Sequence, residues 1–204
     1  MREFNMKQIP RLSGKLNLDE FVFKVKKNKH YRWVSKDRKT KFRINAFSSI
    51  KRTYVDGAKL VYQDIKKRCY DQFIKALIKG KRFSFTTDKL AHYKKGFNKF
   101  FNYVAKLIHG VPIKCKKYKL KKNNNSIERD HQYSRKLEKN SRGHKSFEGV
   151  SALFDIGDAY YNYIDKQKLE GEKRWRTPAQ RTKIKVEIGK RYQLLNLMKL
   201  AFVD

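Results

Sequence analysis

Cysteine occurs only twice in the 204 residues, at Cys69 and Cys115. Two thiols so far apart give neither a disulfide framework nor the ligand spacing of a zinc site. Long apolar runs are missing, and none approaches the length that crosses a bilayer. No basic amphipathic helix stands out as a membrane-surface element. The N-terminus carries no apolar signal segment, so the expected setting is inside a cell or a particle assembled there. The glycines are isolated and build no phosphate-cradling loop. Acidic residues are scarce, 19 against 52 Lys and Arg, which leaves a net charge of +33. Such a chain repels itself unless a polyanion or an acidic neighbour neutralises it, and nucleic acid is the default polyanion.

Aromatic residues are plentiful. Fourteen Phe and twelve Tyr in a chain that is 39% hydrophobic oppose disorder and supply one sizeable core or two small ones. The strongest pattern lies between Val55 and Gly96. Val61, Ile65, Cys69, Phe73 and Leu77 recur every fourth residue, with Leu60, Ile74 and Ile78 beside them, which predicts an amphipathic helix. Asp56 stands just upstream as an N-terminal carboxylate, and Gly80 stands where a helix ends in a left-handed residue. Phe83 and Phe85 then alternate with Arg82 and Ser84. Thr86 to Lys89 reads as a turn, and Leu90 to Lys95 as a returning strand.

The segment from Val61 to Phe85 resembles the second helix and first strand of the histone-like HU and integration host factor family. There a long helix ends in glycine before an apolar-x-apolar strand. The resemblance implies an α+β fold with a helix and β-hairpin core, and subunits that interlock through residues such as Phe73 and Leu77. Two family features are missing: the glycine-rich hairpin turn, replaced by Thr86 to Tyr93, and the proline-tipped arm that clasps DNA. Divergent members resembling this fold occur in tailed-phage virions, including crAss-like phages, and the Lys-, Asn-, Tyr- and Phe-rich composition suits an AT-rich genome of that kind.

Along the rest of the chain, residues 1–17 mix single apolar residues with Pro10 and Gly14 and read as an extended arm. Phe21, Phe23 and Val25, then Tyr31 and Trp33, then Phe42, Ile44 and Ala46 predict a three-strand meander added before the main helix. Phe97, Phe101, Val104 and Ile108 give a second helical face, and Val111, Ile113 and Cys115 an edge strand that Pro112 can start. Residues 18–121 form the expected core, 122–145 a basic loop and 146–204 a helical extension. Glu148, Asp155, Asp158, Asp165, Glu170 and Glu172 reverse the charge, with Gly157 a weak point in their helix. Segregated charge of this kind sets register between subunits, so Asp155, Asp158 and Asp165 are interface candidates; pairing within the chain is the alternative. Thr177-Pro178 begins a last helix that runs past Ile184 and Tyr192 to Phe202.

From Val111 to Lys145 twelve cations face three acids. Candidate phosphate contacts are Lys114, Lys116, Lys117, Lys119, Lys121, Lys122, Arg129, Arg135 and Lys136, joined from the last helix by Arg181, Lys183 and Lys185. Rings interleaved with cations, as at Tyr31-Arg32-Trp33, could stack on bases, but strand alternation gives the same spacing with the rings buried, and burial is the favoured reading. His30, His92, His109, His131 and His144 are scattered, which argues against a metal site. Glu128-Arg129-Asp130-His131 is the one close carboxylate and imidazole grouping. It falls in loop-like sequence without apolar support, whereas catalysis requires rigidly held groups. The expectation is therefore a non-enzymatic virion component with no cofactor, metal or small-molecule substrate: a homo-oligomeric ring at the head-to-tail junction that meets other virion proteins and DNA. The alternatives are an HU-type DNA-compacting protein in the cytoplasm or nucleoid and a ribosome-like RNA scaffold. Duplex affinity that falls steeply with salt separates the second reading from the first.

Overall fold

The computed structural model describes residues 1–110, 125–140 and 144–202. Three strands, β1 (Lys15–Val25), β2 (Asn28–Asp37) and β3 (Arg43–Ser49), form an antiparallel meander. Two short strands, β4 (Phe83–Thr86) and β5 (Ala105–Ile108), join it in parallel to β1, giving the order β3-β2-β1-β4-β5. The meander expected as an appendage is thus the larger part of the sheet, and β1 is its centre.

The long helix forms as its period predicts. After a π-helical turn (Tyr54–Ala58), α2 (Lys59–Ile78) buries Val61, Tyr62, Ile65, Cys69 and Phe73. Gly80 follows at φ 68°, and the Lys81 amide turns back to the Ala76 carbonyl. Burial of each large apolar side chain contributes roughly 1.5–3 kcal/mol. Phe73 stacks on Phe85 of β4, with ring centroids 5.6 Å apart.

Beyond β4 the structure overturns the expected hairpin. Residues Ala91–Phe100 form helix α3, so β4 and β5 are joined by a crossover, as parallel strands require. The alternation from Leu90 to Lys95 was too short to separate strand from helix. The deciding residues are Tyr93, Gly96 and Phe97, buried at helical spacing. Gly96 admits Tyr62: a Cβ there would lie 2.4 Å from the Tyr62 ring. The second expected helical face divides, its first half in α3 and Ala105–Ile108 in β5. The expected edge strand from Val111 to Cys115 lies outside the described residues.

The two sheet faces carry different helices. Alternate β1 residues Leu16 and Leu18 join the core under α2 and α3, while Phe21, Phe23 and Val25 pack on Val150 and Phe154 of α5 (Phe147–Tyr163). Helix α4 (Asn125–Asn140) lies beside α5 where the sequence reads as a loop. Gly157 is where α4 comes near; a Cβ there would sit 2.4 Å from the tip of Leu137.

The ends also differ from expectation. The N-terminal stretch begins with a short helix, α1 (Arg2–Lys7). At the C-terminus the single long helix is broken. Thr177 and Gln180 form a capping box on the four-residue α6 (Pro178–Arg181), and α7 (Gln193–Phe202) starts after Lys183, Gly189 and Tyr192, all at positive φ. Among the described residues no helix is long and apolar enough to cross a membrane.

Candidate active site

Parallel register brings two carboxylates together. β1 and β4 pair Asn17 with Thr86. Two residues on, past the pairing, Asp19 and Asp88 stand next to each other near the carboxyl end of β4, the kind of place where sheets with parallel strands bind ligands. Ligand oxygens of Asp19, Glu20 and Asp88 lie within 4.8 Å of one another. The expectation of no metal site rested on His and Cys spacing along one element; carboxylates from two strands leave no such signature.

Each acid is positioned differently. Asp19 is buried, accepts the Glu20 amide at 3.0 Å, and has His131 Nε2 at 3.5 Å. Glu20 is braced by Arg52 and by the Tyr93 hydroxyl, which donates at 2.9 Å. Asp88 lies past the end of β4, where its carboxylate accepts the Leu90 amide at 3.0 Å and its carbonyl accepts the Gly110 amide at 3.1 Å. Thr87 Oγ1 and His109 Nδ1, 2.9 Å apart, tie the same turn to β5.

Burial pushes the Glu20 carboxyl above its ordinary value, and Asp88 and Asp19 push the same way against Arg52. Burial likewise raises Asp88, with Asp19 adding to it. Carboxylates crowded within 4.8 Å of one another are a place where a divalent cation is stabilising.

Helix α4 completes the surroundings. Ile127 is fully buried against Val34 and Ala46, an apolar support that the local sequence does not disclose. Asp130 accepts from Lys36 and from Arg43 at 2.6 Å each, with all three side chains at most 4% exposed. Burial opposes ionisation of Asp130, but Arg43 and Lys36 outweigh it and hold the carboxyl down at about 2. Asp158 of α5 bonds Arg43 and, at 2.5 Å, Arg32, which also reaches Asp155 at 2.8 Å. This network fixes both helices to the sheet and turns His131 towards Asp19. Glu128, half-buried, stands one turn before His131, and residues three apart share a helix face.

The other sequence candidates are dispersed. Asp155 and Asp158 pair with Arg32 and Arg43 of the same chain, and Asp165 accepts from Gln167. Phe73 is buried in the core and Leu77 packs against it. Arg181 forks onto Glu172 at 2.9 and 2.8 Å, whereas Arg135, Lys136, Lys183 and Lys185 are exposed. Lys114, Lys116, Lys117, Lys119, Lys121 and Lys122 lie outside the described residues, and of Arg129 only the helical backbone is described. Of the site residues missed in the sequence, Asp19 had one faint signal, an acid between the apolar residues of a strand, and Asp88, in a turn after β4, had none.

Residues 13–159 match the family model described as a DDE domain, in its IS240 transposase form. Among solved structures, the HTLV-2 integrase catalytic core domain in complex with magnesium, in a trimeric form, aligns with a TM-score of 0.52 at 14% identity, covering 85% of this chain and 97% of that one. A chain of the simian T-cell lymphotropic virus intasome in complex with PP2A regulatory subunit B56 gamma aligns at a TM-score of 0.50 and 11% identity, covering 84% and 54%. Comparison with curated proteins gives no match. These findings overturn the HU and integration host factor resemblance, the virion-ring and DNA-compaction readings drawn from it, and the expectation of a non-enzyme. The fold is that of an integrase catalytic core, a ribonuclease H-like mixed sheet flanked by helices.

Proposed function

The chain belongs to the DDE domain family, and from that premise we propose that it catalyses metal-dependent phosphoryl transfer on DNA, cutting or joining phosphodiesters as a transposase or integrase does. The observation that carries this reading is the convergence of Asp19 and Asp88 from adjacent parallel strands. Glu128 on α4 is the third acid, one helical turn from the histidine that touches Asp19.

The residues present suit a hard divalent cation, since carboxylate oxygens are its preferred donors. Asp19, Asp88 and Glu128 would hold it, and bound there it would offset charge on the attacking and leaving oxygens of an in-line displacement. The chain itself supplies rigidity. Asp88 is fixed by the Leu90 and Gly110 amides, and α4 is fixed by Asp130, so the acids need no rearrangement before reaction. Glu20, engaged by Arg52 and Tyr93, serves to brace β1 against α3. The positive charge draws in the substrate strand. A homo-oligomer fits the reading as well, because joining two DNA ends calls for more than one active centre.

The test is cleavage of a supercoiled plasmid with magnesium or manganese. Wild-type chain nicks it and chelation stops the reaction. Asp19→Asn, Asp88→Asn and Glu128→Gln each lose ~100-fold or more, beyond the 10- to 100-fold typical of residues that only support a metal ligand. Glu20→Gln keeps most of the activity. Nicking that persists in Asp19→Asn or Asp88→Asn defeats the proposal.

A further inference from the structure

The groove beside the carboxylates carries an assignment of its own. It measures about 450 Å³ and is lined by Lys15, Arg38, Lys39, Lys41, Ser84 and Thr86, with no acid in its wall. We propose that it seats the sugar-phosphate backbone of duplex DNA leading away from the reacting phosphodiester. This inference rests on the phosphoryl-transfer reading above.

Three observations support it. The groove shares a face with the carboxylates: Leu16, Leu18 and Phe85 enter the core under α2, so Lys15 and Asn17, like Ser84 and Thr86, project from the other side, in line with Asp19 and Asp88. Four residues of strand separate Lys15 from Asp19, about 13 Å at 3.3 Å per residue, which matches about four base-pair steps of a duplex at 3.4 Å each.

The cations are also held in place. Arg38, Lys39 and Lys41 come from a turn built on Asp37, a fully buried carboxylate. It accepts the Ser13 amide at 2.6 Å, the Ser13 hydroxyl at 2.8 Å, and the Lys39 and Thr40 amides at 3.0 Å. The Arg38 amide donates to the Lys15 carbonyl at 2.8 Å, tying turn to strand. With its charge spent on these donors, Asp37 fixes the turn while Lys15 and Lys39 remain exposed. Finally, Ser84 and Thr86 of β4 add hydroxyl donors beside Lys15. Lysine, arginine and hydroxyl groups side by side are the usual phosphate contacts.

Binding of a fluorescent 25-base-pair duplex, followed by anisotropy at several salt concentrations with EDTA present, keeps the measurement independent of the metal. The triple variant K15E/R38E/K39E is expected to bind at least 10-fold more weakly at moderate salt, with the log-log salt slope smaller by about three. K26E/K27E/K29E, the same charge change at the far end of β1, is expected to lose no more than 3-fold. If the charge reversal unfolds the chain, K15Q/R38Q/K39Q serves, checked by an unchanged melting temperature. Equal losses in both triples, or none in the first, overturn the assignment. So does a loss confined to a poly-glutamate peptide with duplex binding untouched, which marks an acidic protein as the occupant. Asp88→Asn separates the two claims: it keeps duplex affinity while losing cleavage, and if wild-type chain never cleaves, a groove-dependent affinity still stands.

Discussion

Asp130→Ala tests how the active face is assembled. The carboxylate it removes lies between Lys36 and Arg43, 2.6 Å from each, with all three side chains at most 4% exposed. Asp158 still pairs with Arg43, but Lys36 is left as a buried ammonium whose carboxylate partner is gone. Removing one member of a buried pair costs about 3–5 kcal/mol, mostly from the charge left behind. For a chain of this size each kcal/mol lowers the melting temperature by about 2–4 °C, so a drop of roughly 10 °C is expected by calorimetry or circular dichroism. Since α4 carries Glu128 and His131, DNA cleavage should fall further than the remaining folded fraction explains. A variant that melts within about 2 °C of wild type and cleaves normally would refute the claim that this network docks α4.

Further expectations concern pH, packing and the buried thiol. Asp130 is held at about 2 against an ordinary 3.8; a depressed carboxyl stabilises the fold above its ordinary value and loses that contribution as pH falls through the folded one. Urea midpoints should therefore drop between about pH 4 and pH 2 by the equivalent of about 2 kcal/mol from this group, a component that Asp130→Asn lacks. Gly57→Ala would place a Cβ 1.9 Å from the ring of Trp33, itself fully buried; overpacking of that kind costs about 1–3 kcal/mol or more, visible as a lower melting temperature and altered tryptophan emission. Burial raises the Cys69 thiol to about 11, so in a Cys115→Ser background a thiol reagent at pH 8 should react only after denaturant is added.

How much the sequence disclosed depended on how local the cause was. The α2 helix follows from a fourfold period and a glycine at position 80, and both read true because Val61, Ile65, Cys69 and Phe73 share one buried face along a twenty-residue helix. The partner of Phe83 and Phe85 was not legible. A four-residue strand takes its pairing from β1 and β5, far away in sequence, so an identical apolar-x-apolar stretch fits a hairpin or a parallel crossover equally well. Helix α4 was hidden because its support is ionic: Asp130 meets Lys36 and Arg43, residues about ninety positions away, and Ile127 alone gives little period. The catalytic acids share that difficulty. Asp19 and Asp88 become neighbours only through strand register, and Asp19 reads beforehand as an ordinary polar residue in an alternating strand. The tetrad from Glu128 to His131 is visible in the sequence as chemistry, but the rigid support it needs is supplied only by the fold.

The most direct measurement is manganese binding, followed by electron paramagnetic resonance on the folded chain without DNA. Wild-type chain should take up the ion, Glu20→Gln should bind nearly as well, and Asp19→Asn and Asp88→Asn should show free manganese only. Equal uptake by all four proteins, or none by wild type, would contradict the claim that these two aspartates form a metal-binding active centre.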